Sequence, residues 1–191
     1  MRICVYCASS SKVDKAYFDA TQKLAEEFTK RGITLVYGGG SMGLMGCMAD
    51  NILKNKGTVE GILPRFMDKV EWGHKGLTKL TLVKDMHERK KLLIKDVDAV
   101  VALAGGCGTL EELMEVITLK RLGKFTKPII ILNTNGFYDH LELLLNKMIK
   151  EHFMRAEHGE IWQFVKHPEE VIPAIENAPE WDSSAIKFAA V

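Results

Sequence analysis

Strand-length apolar runs alternate with segments of helical period along almost the whole chain, and this alternation restricts the fold more than any single motif does. Residues 2–6, 33–37, 58–63, 79–83, 98–103 and 128–132 read as strands, the third ended by Pro64, which cannot donate to a sheet ladder. Residues 14–31, 42–55, 86–95, 113–122 and 138–150 read as helices, with a further strand at 160–165 and a closing helix at 168–176. Val/Ile/Leu runs without polar alternation belong to strands buried on both faces. Regular alternation with helices implies right-handed crossovers and a parallel sheet. The expected fold class is α/β: a Rossmann-like, doubly wound, mostly parallel sheet flanked by helices. Such sheets bind ligands outside the carboxyl ends of their strands, where the strand order reverses.

The 191 residues, 47% of them hydrophobic and 27% charged, suit one domain, expected over residues 1–177, with a loosely held tail at 178–191. A formal charge of +1 provides no global attraction for nucleic acid or an anionic membrane, so neither is expected as a partner and any anion site must be local. Apolar runs such as 129–132 fall far short of the ~20 residues of a membrane span. The first residues lack the long apolar region of a signal peptide, and a cytoplasmic location is expected. Cys4, Cys7, Cys47 and Cys107 are too few and scattered for a disulfide framework, and Cys4-x-x-Cys7 has no second pair to complete a metal site.

Two glycine-rich turns fall at the expected ligand edge. Gly105-Gly106-Cys107-Gly108 follows the strand at 98–103 and leads into a helix, so backbone amides can approach an anion closely. A phosphate is the expected guest. Gly38-Gly39-Gly40-Ser41 ends the second strand, and Gly39, Gly40 and Ser41 form a second candidate phosphate contact. This turn loosely matches a dinucleotide fingerprint, with Glu60 about 20 residues on, but it follows the second strand instead of the first. Close packing explains part of its glycines equally well, notably Gly43 and Gly46. Residues 65–78 have little periodicity and read as an excursion from the sheet of the kind that forms lids or binding loops.

Two carboxylates, Glu111 and Glu112, are expected in the first turn of the helix after the second glycine run, beside a site suited to an anion. Thr109-x-x-Glu112 is also a capping box by spacing, which would make Glu112 purely structural; both readings stand. Met86-His87-Glu88-Arg89-Lys90-Lys91 opens another helix directly after a strand. A basic cluster of this kind is commonly a solvated face, yet at this place Arg89 can reach the same edge as the glycine turns. Its planar guanidinium can grip phosphate or carboxylate through two hydrogen bonds.

Together, residues 38–46, Met86-His87-Glu88-Arg89-Lys90 and Gly105 through Glu112 closely resemble the LOG (Lonely Guy) family of cytokinin riboside 5'-monophosphate phosphoribohydrolases, many long mislabelled as lysine decarboxylases. The motifs MHxRK and PGGxGTxxE occur in order and at family-like separation. The resemblance implies hydrolysis of the N-glycosidic bond of a nucleoside 5'-monophosphate, AMP or prenylated AMP, releasing the base and ribose 5-phosphate. It makes Arg89 and Glu112 the catalytic pair. Substrate contacts carried over by motif are Glu71, Arg89, Lys90, Gly106, Cys107, Gly108, Thr109, Leu110, Glu111, Glu112 and Thr118, with Gly105 in the same loop. Family members are commonly homodimers with sites near the subunit interface. Two positions depart from the motif: Ala104 replaces its usual proline, and Cys107 stands where tyrosine is common. Alanine loosens the approach to the loop without removing a ligand group.

Ribosyl cleavage builds positive charge on the sugar and negative charge on the departing base. Glu112 is the candidate to stabilise the first and to orient or deprotonate water, with Arg89 offsetting the second. No metal or other cofactor is expected. The alternative from another class is a non-catalytic nucleotide or molybdenum-cofactor carrier on the same fold.

Overall fold

A computed structural model describes residues 1–68 and 72–189. Seven parallel strands form one sheet: β1 (Arg2–Tyr6), β2 (Thr34–Tyr37), β3 (Val59–Pro64), β4 (Lys79–Val83), β5 (Ala99–Ala102), β6 (Ile129–Leu132) and β7 (Gln163–Val165). Their order is β4-β3-β2-β1-β5-β6-β7, so the chain runs outward from β1 to one edge and then returns to build the other half from β5. The switch point lies between β1 and β5, where Ile3 is in register with Ala99 and Tyr6 with Ala102. The expected doubly wound α/β fold is the fold observed.

Alternate strand residues feed two cores because successive side chains leave opposite faces of a strand. Ile3, Val5, Leu35, Tyr37, Val101 and Ile130 pack with helices α1 (Lys15–Lys30), α2 (Gly43–Lys54) and α7 (Val171–Glu176). Cys4, Tyr6, Val36, Val100 and Ile131 face α4 (Met86–Leu93), α5 (Cys107–Arg121) and α6 (Asp139–Lys150). The short helix α3 (Arg65–Asp68) opens the excursion after β3. Asp14 caps α1 by accepting from the Ala16 amide, and Gly32, at φ +61°, takes the chain out of it. Among the described residues no helix is long and apolar enough to cross a membrane.

Helix α5 starts at Cys107, six residues before the expected 113. Its apolar stripe runs back from Ile117 through Leu113 to Leu110, and burial of that stripe against the sheet draws the glycine segment into helical form. Gly106, in extended conformation, is the N-cap, and no side chain caps the helix. The capping-box reading of Thr109 and Glu112 therefore fails: Thr109 sits inside the first turn, buried against Gly105, where a Cβ would collide with its hydroxyl. Glu111 and Glu112 consequently lie in the second turn instead of the first.

The excursion straps the first glycine turn. Gly40 and Gly73 form an antiparallel bridge, the Ser41 amide donates to Trp72 O at 3.1 Å, and the His74 amide donates to Gly39 O at 2.9 Å. Gly40 O accepts from the Tyr37 hydroxyl at 3.0 Å. The Ser41 amide, one of the donors expected to meet phosphate, is thus spent inside the protein, and the carbonyls of Gly39 and Gly40 anchor the turn to the excursion and to Tyr37.

The terminal segment is held more firmly than a loose tail. Trp181 Nε1 donates to Lys120 O at 2.6 Å, Asp182 caps a 3-10 helix (Ser183–Phe188), and Ala185 is buried. The Trp181 ring also lies 5.7 Å from Lys120 Nζ. Lys120 is only 2% exposed, and desolvation pushes its pKa down to about 8.

The unfolded chain keeps this proton up to the ordinary value of 10.5, so the cost of burying the ammonium is complete below pH 8 and disappears as the pH rises towards 10.5. Lys120→Met, which keeps the apolar stem, should raise the melting temperature by several degrees at pH 7. The advantage over the parent should shrink as calorimetric scans move from pH 8 to pH 10.

Candidate active site

The site is assembled at the switch point from the ends of β2 and β5 and the starts of α4 and α5. Asp85 caps α4 by accepting from the Glu88 amide at 2.8 Å, while the Glu88 carboxylate reaches back to the Lys84 amide at 2.8 Å. This paired cap fixes the first turn of α4 and aims Arg89 inward. Arg89 is 9% exposed, whereas His87 and Lys91 on the same helix remain at the surface. The motif thus divides: its arginine belongs to the interior and part of its basic character to solvent.

Arg89 reaches across Gly38. Its Nη2 donates to Gly38 O at 3.4 Å and lies 3.8 Å from Glu112 Oε1, and its Nη1 rests 3.7 Å from Met86 Sδ. A Cβ on Gly38 would collide with Nη2, so the missing side chain makes the guanidinium's passage possible. Arg89 Nε is buried without a hydrogen-bond partner. A buried, unpaired donor beside a carboxylate is poised for an incoming acceptor oxygen.

Glu112 enters from α5. Burial is the largest influence on it and raises its pKa from 4.5 to about 7; Arg89 opposes that rise, Glu111 adds to it, and Lys90 lowers it. The buried thiols of Cys4 and Cys7 lie close enough to feel its charge, and burial holds both well above their ordinary range. Cys4 and Cys7 belong to the cores on opposite faces of the sheet, and burial disfavours the thiolate form of both.

Lys90 bridges α4 to α5 beside this pair, with Nζ 2.5 Å from Glu111 Oε1 and 3.2 Å from Glu115 Oε2. Glu111 is the first cause of its raised pKa. Its positive charge is largely answered by these two carboxylates, so its main structural contribution is to tie the helices together. Glu115 is a pairing residue, as its place along the helix suggests.

The second glycine turn remains open. A Cβ on Gly106 or Gly108 would meet nothing within 4 Å, and the amides of Cys107, Gly108 and Thr109 have no hydrogen-bond partner among the described residues. Cys107 is exposed. A helix end with free amides and no capping side chain is suited to an anion. Thr118 is not brought to this group: it is exposed, its hydroxyl donates to Met114 O at 2.8 Å, and it lies six residues beyond Glu112, about 9 Å along the helix. Glu71 lies outside the described residues.

Sequence reading did not single out Gly38 or Met86 as partners of Arg89, although Gly38 was visible as a glycine. The missing information was which side chain crosses it.

Fold and site together define a doubly wound α/β protein with an uncapped helix N-terminus open to an anion and an adjoining buried Arg–Glu pair. The family described as possible lysine decarboxylase matches residues 45–175. A probable cytokinin riboside 5'-monophosphate phosphoribohydrolase of Oryza sativa subsp. japonica is 42% identical over 156 residues, covering 82% of this chain and 70% of the relative. The Arabidopsis thaliana cytokinin riboside 5'-monophosphate phosphoribohydrolase LOG3 is 39% identical over 188 residues, covering 98% and 87%. The chain belongs to the LOG family. Among solved structures, the molybdenum cofactor binding protein of Rippkaea orientalis superposes with a TM-score of 0.70 at 20% identity, over 92% of this chain and 94% of the other. The Chlamydomonas reinhardtii molybdenum cofactor carrier gives 0.69 at 16%, over 93% and 96%. These two likenesses establish the shared fold.

Gly38→Ala provides a direct test of the pair. Displacing the guanidinium removes the largest influence that lowers the Glu112 pKa, so an NMR titration of the side-chain carboxyl should find it titrating above its value in the parent protein.

Proposed function

We propose that the chain hydrolyses the N-glycosidic bond of a nucleoside 5'-monophosphate, yielding the free base and ribose 5-phosphate. The observation that carries this reading is the buried Arg89–Glu112 pair beside the uncapped N-terminus of α5. The sequence relatives named as phosphoribohydrolases support it, whereas the carrier alternative rests on fold likeness alone.

In this mechanism the amides of Cys107, Gly108 and Thr109 hold the 5'-phosphate. The bond from the anomeric carbon to the base nitrogen breaks, and its electron pair leaves with the base. Ionised Glu112 stabilises the positive charge developing on the ribosyl ring and accepts the proton of the attacking water as its oxygen bonds to the anomeric carbon. Arg89 balances the negative charge on the departing base, which takes up a proton from solvent to leave as the neutral product, and Glu112 returns the proton it accepted to solvent. The 5'-phosphate stays attached throughout. Residue assignments extend to Lys90, which braces the two helices, and to Glu111, its partner.

The protein is further proposed to work in the cytoplasm as a homodimer. Its four free thiols suit a reducing compartment. A second subunit would give exposed Thr118 a place near a site, and light scattering on the eluting protein measures the assembly directly.

Incubation with AMP and with a prenylated AMP, followed by chromatography, should reveal free base and an equal amount of ribose 5-phosphate. Binding without base release from either would favour the carrier. Glu112→Gln should lower turnover by about 100-fold or more while nucleotide affinity changes little, a loss typical of removing an electrostatic group that acts in the transition state. Arg89→Lys should be impaired comparably, since an ammonium cannot reproduce the planar fork.

The pH dependence has a definite sign. Glu112 acts as the carboxylate, so kcat/KM should rise with pH and level off above an inflection near 7, the pKa imposed by burial. The residual activity of Glu112→Gln should lack that inflection. A profile that instead falls as pH rises through 7 would make protonated Glu112 the active form and overturn the assigned role.

A further inference from the structure

The second glycine turn hangs from a short, externally pinned piece of backbone. Leu103 leaves β5 with its amide donating to Tyr6 O at 2.9 Å, and the next carbonyl, Ala104 O, accepts from the Ala8 amide at 3.1 Å. From the other side, the Tyr138 hydroxyl donates to Leu103 O at 2.7 Å across 35 residues of chain. Tyr138 is itself immobilised: it is buried, its amide donates to Asn133 Oδ1 at 2.7 Å, and Phe137 packs edge-on at 4.8 Å between centroids. Asn133 in turn donates through Nδ2 to Asp139 Oδ1 at 2.7 Å. A set of hydrogen bonds, linked through Tyr138 itself, therefore runs from the start of α6 to the Leu103–Ala104 peptide.

This clamp has particular weight in this chain. Proline at 104 would restrict the backbone entering the turn, but alanine leaves that torsion free, and Gly105 and Gly106 follow it. The direction of the free amides at the start of α5 must then be maintained from outside the loop. Burial keeps the Tyr138 hydroxyl protonated and hence a donor.

We propose that Tyr138 is a positioning residue for the phosphate-binding turn, acting through its hydrogen bond to Leu103 O and contributing to affinity for the 5'-phosphate of the substrate rather than to bond cleavage. The proposal rests on the reading of this turn as the phosphate cradle of a nucleoside monophosphate hydrolase. Tyr138 touches no reacting atom in this scheme. It holds the chain so that the amides of Cys107, Gly108 and Thr109 converge before substrate arrives, which lowers the ordering cost of binding.

Tyr138→Phe keeps the ring and removes the donor. Steady-state kinetics with AMP should give a KM raised roughly three- to tenfold, the range expected for one net hydrogen bond, with kcat within about twofold of the parent. Calorimetric titration with ribose 5-phosphate should show a matching loss of affinity. Asn133→Ala, which frees the Tyr138 amide and leaves the tyrosine in place, should shift both quantities in the same direction and provides a second route if Tyr138→Phe folds poorly. Unchanged KM and ribose 5-phosphate affinity, or a fall in kcat at constant KM, would overturn the proposal. The two readings separate cleanly: no base release by the parent, with ribose 5-phosphate affinity still weakened by Tyr138→Phe, defeats the hydrolase and keeps the clamp. Base release by the parent with indifferent variants defeats the clamp alone.

Discussion

The contact between Arg89 and Glu112 is the constraint around which the site is organised. Two opposite charges, each about nine-tenths removed from solvent, stand 3.8 Å apart beside the uncapped N-terminus of α5. Burial alone would neutralise the carboxyl, and the guanidinium alone would hold it ionised; the balance leaves its pKa near neutrality. The pair survives because its surroundings satisfy its other demands. Gly38 provides a carbonyl and leaves room for the guanidinium, Met86 offers a polarisable sulfur, and Lys90 joins the two helices through Glu111 and Glu115. Removing either charge would strand the other in a poorly solvated place, which costs more than the attraction itself contributes.

The architecture makes that contact possible. The strand order reverses beside β1, so helices α4 and α5 converge although their motifs are separated in the chain. The Ala8 peptide joins the halves: its amide donates to Ala104 O beside one glycine turn, and its carbonyl accepts from the Leu44 and Met45 amides beside the other. The turns nevertheless do different work. The first is closed by the excursion through Gly73, Trp72 and His74, while the second presents an uncapped helix end to solvent. An anion finds free donors at the second.

Much of this organisation is legible along the chain. The alternation of apolar strands and helices reveals a parallel, doubly wound sheet, because burial on both faces demands continuous Val and Ile runs. The glycine turns and the MHxRK segment fall at the ligand edge for the same topological reason. The capping box misleads because Thr109 and Glu112 satisfy a spacing rule without occupying its positions; the apolar stripe through Leu110 pulls the helix start back to Cys107. The terminal segment misleads in the opposite direction. Its sequence has little pattern, yet Trp181 docks on the end of α5 and Ala185 is buried, a placement that local periodicity cannot signal.

By itself, the sequence determined the sheet, the edge at which chemistry could occur, and the residue types available there, since periodicity and turn chemistry act over a few neighbouring residues. Only the tertiary structure decided which glycine turn is strapped by the excursion and which opens an uncapped helix end, that Arg89 crosses Gly38 to meet Glu112, and that Tyr138 grips the peptide entering the phosphate turn. These outcomes depend on burial and on hydrogen bonds between residues far apart in the chain. Desolvation, which lifts Glu112 to about 7, likewise exists only once the surrounding elements have closed over it.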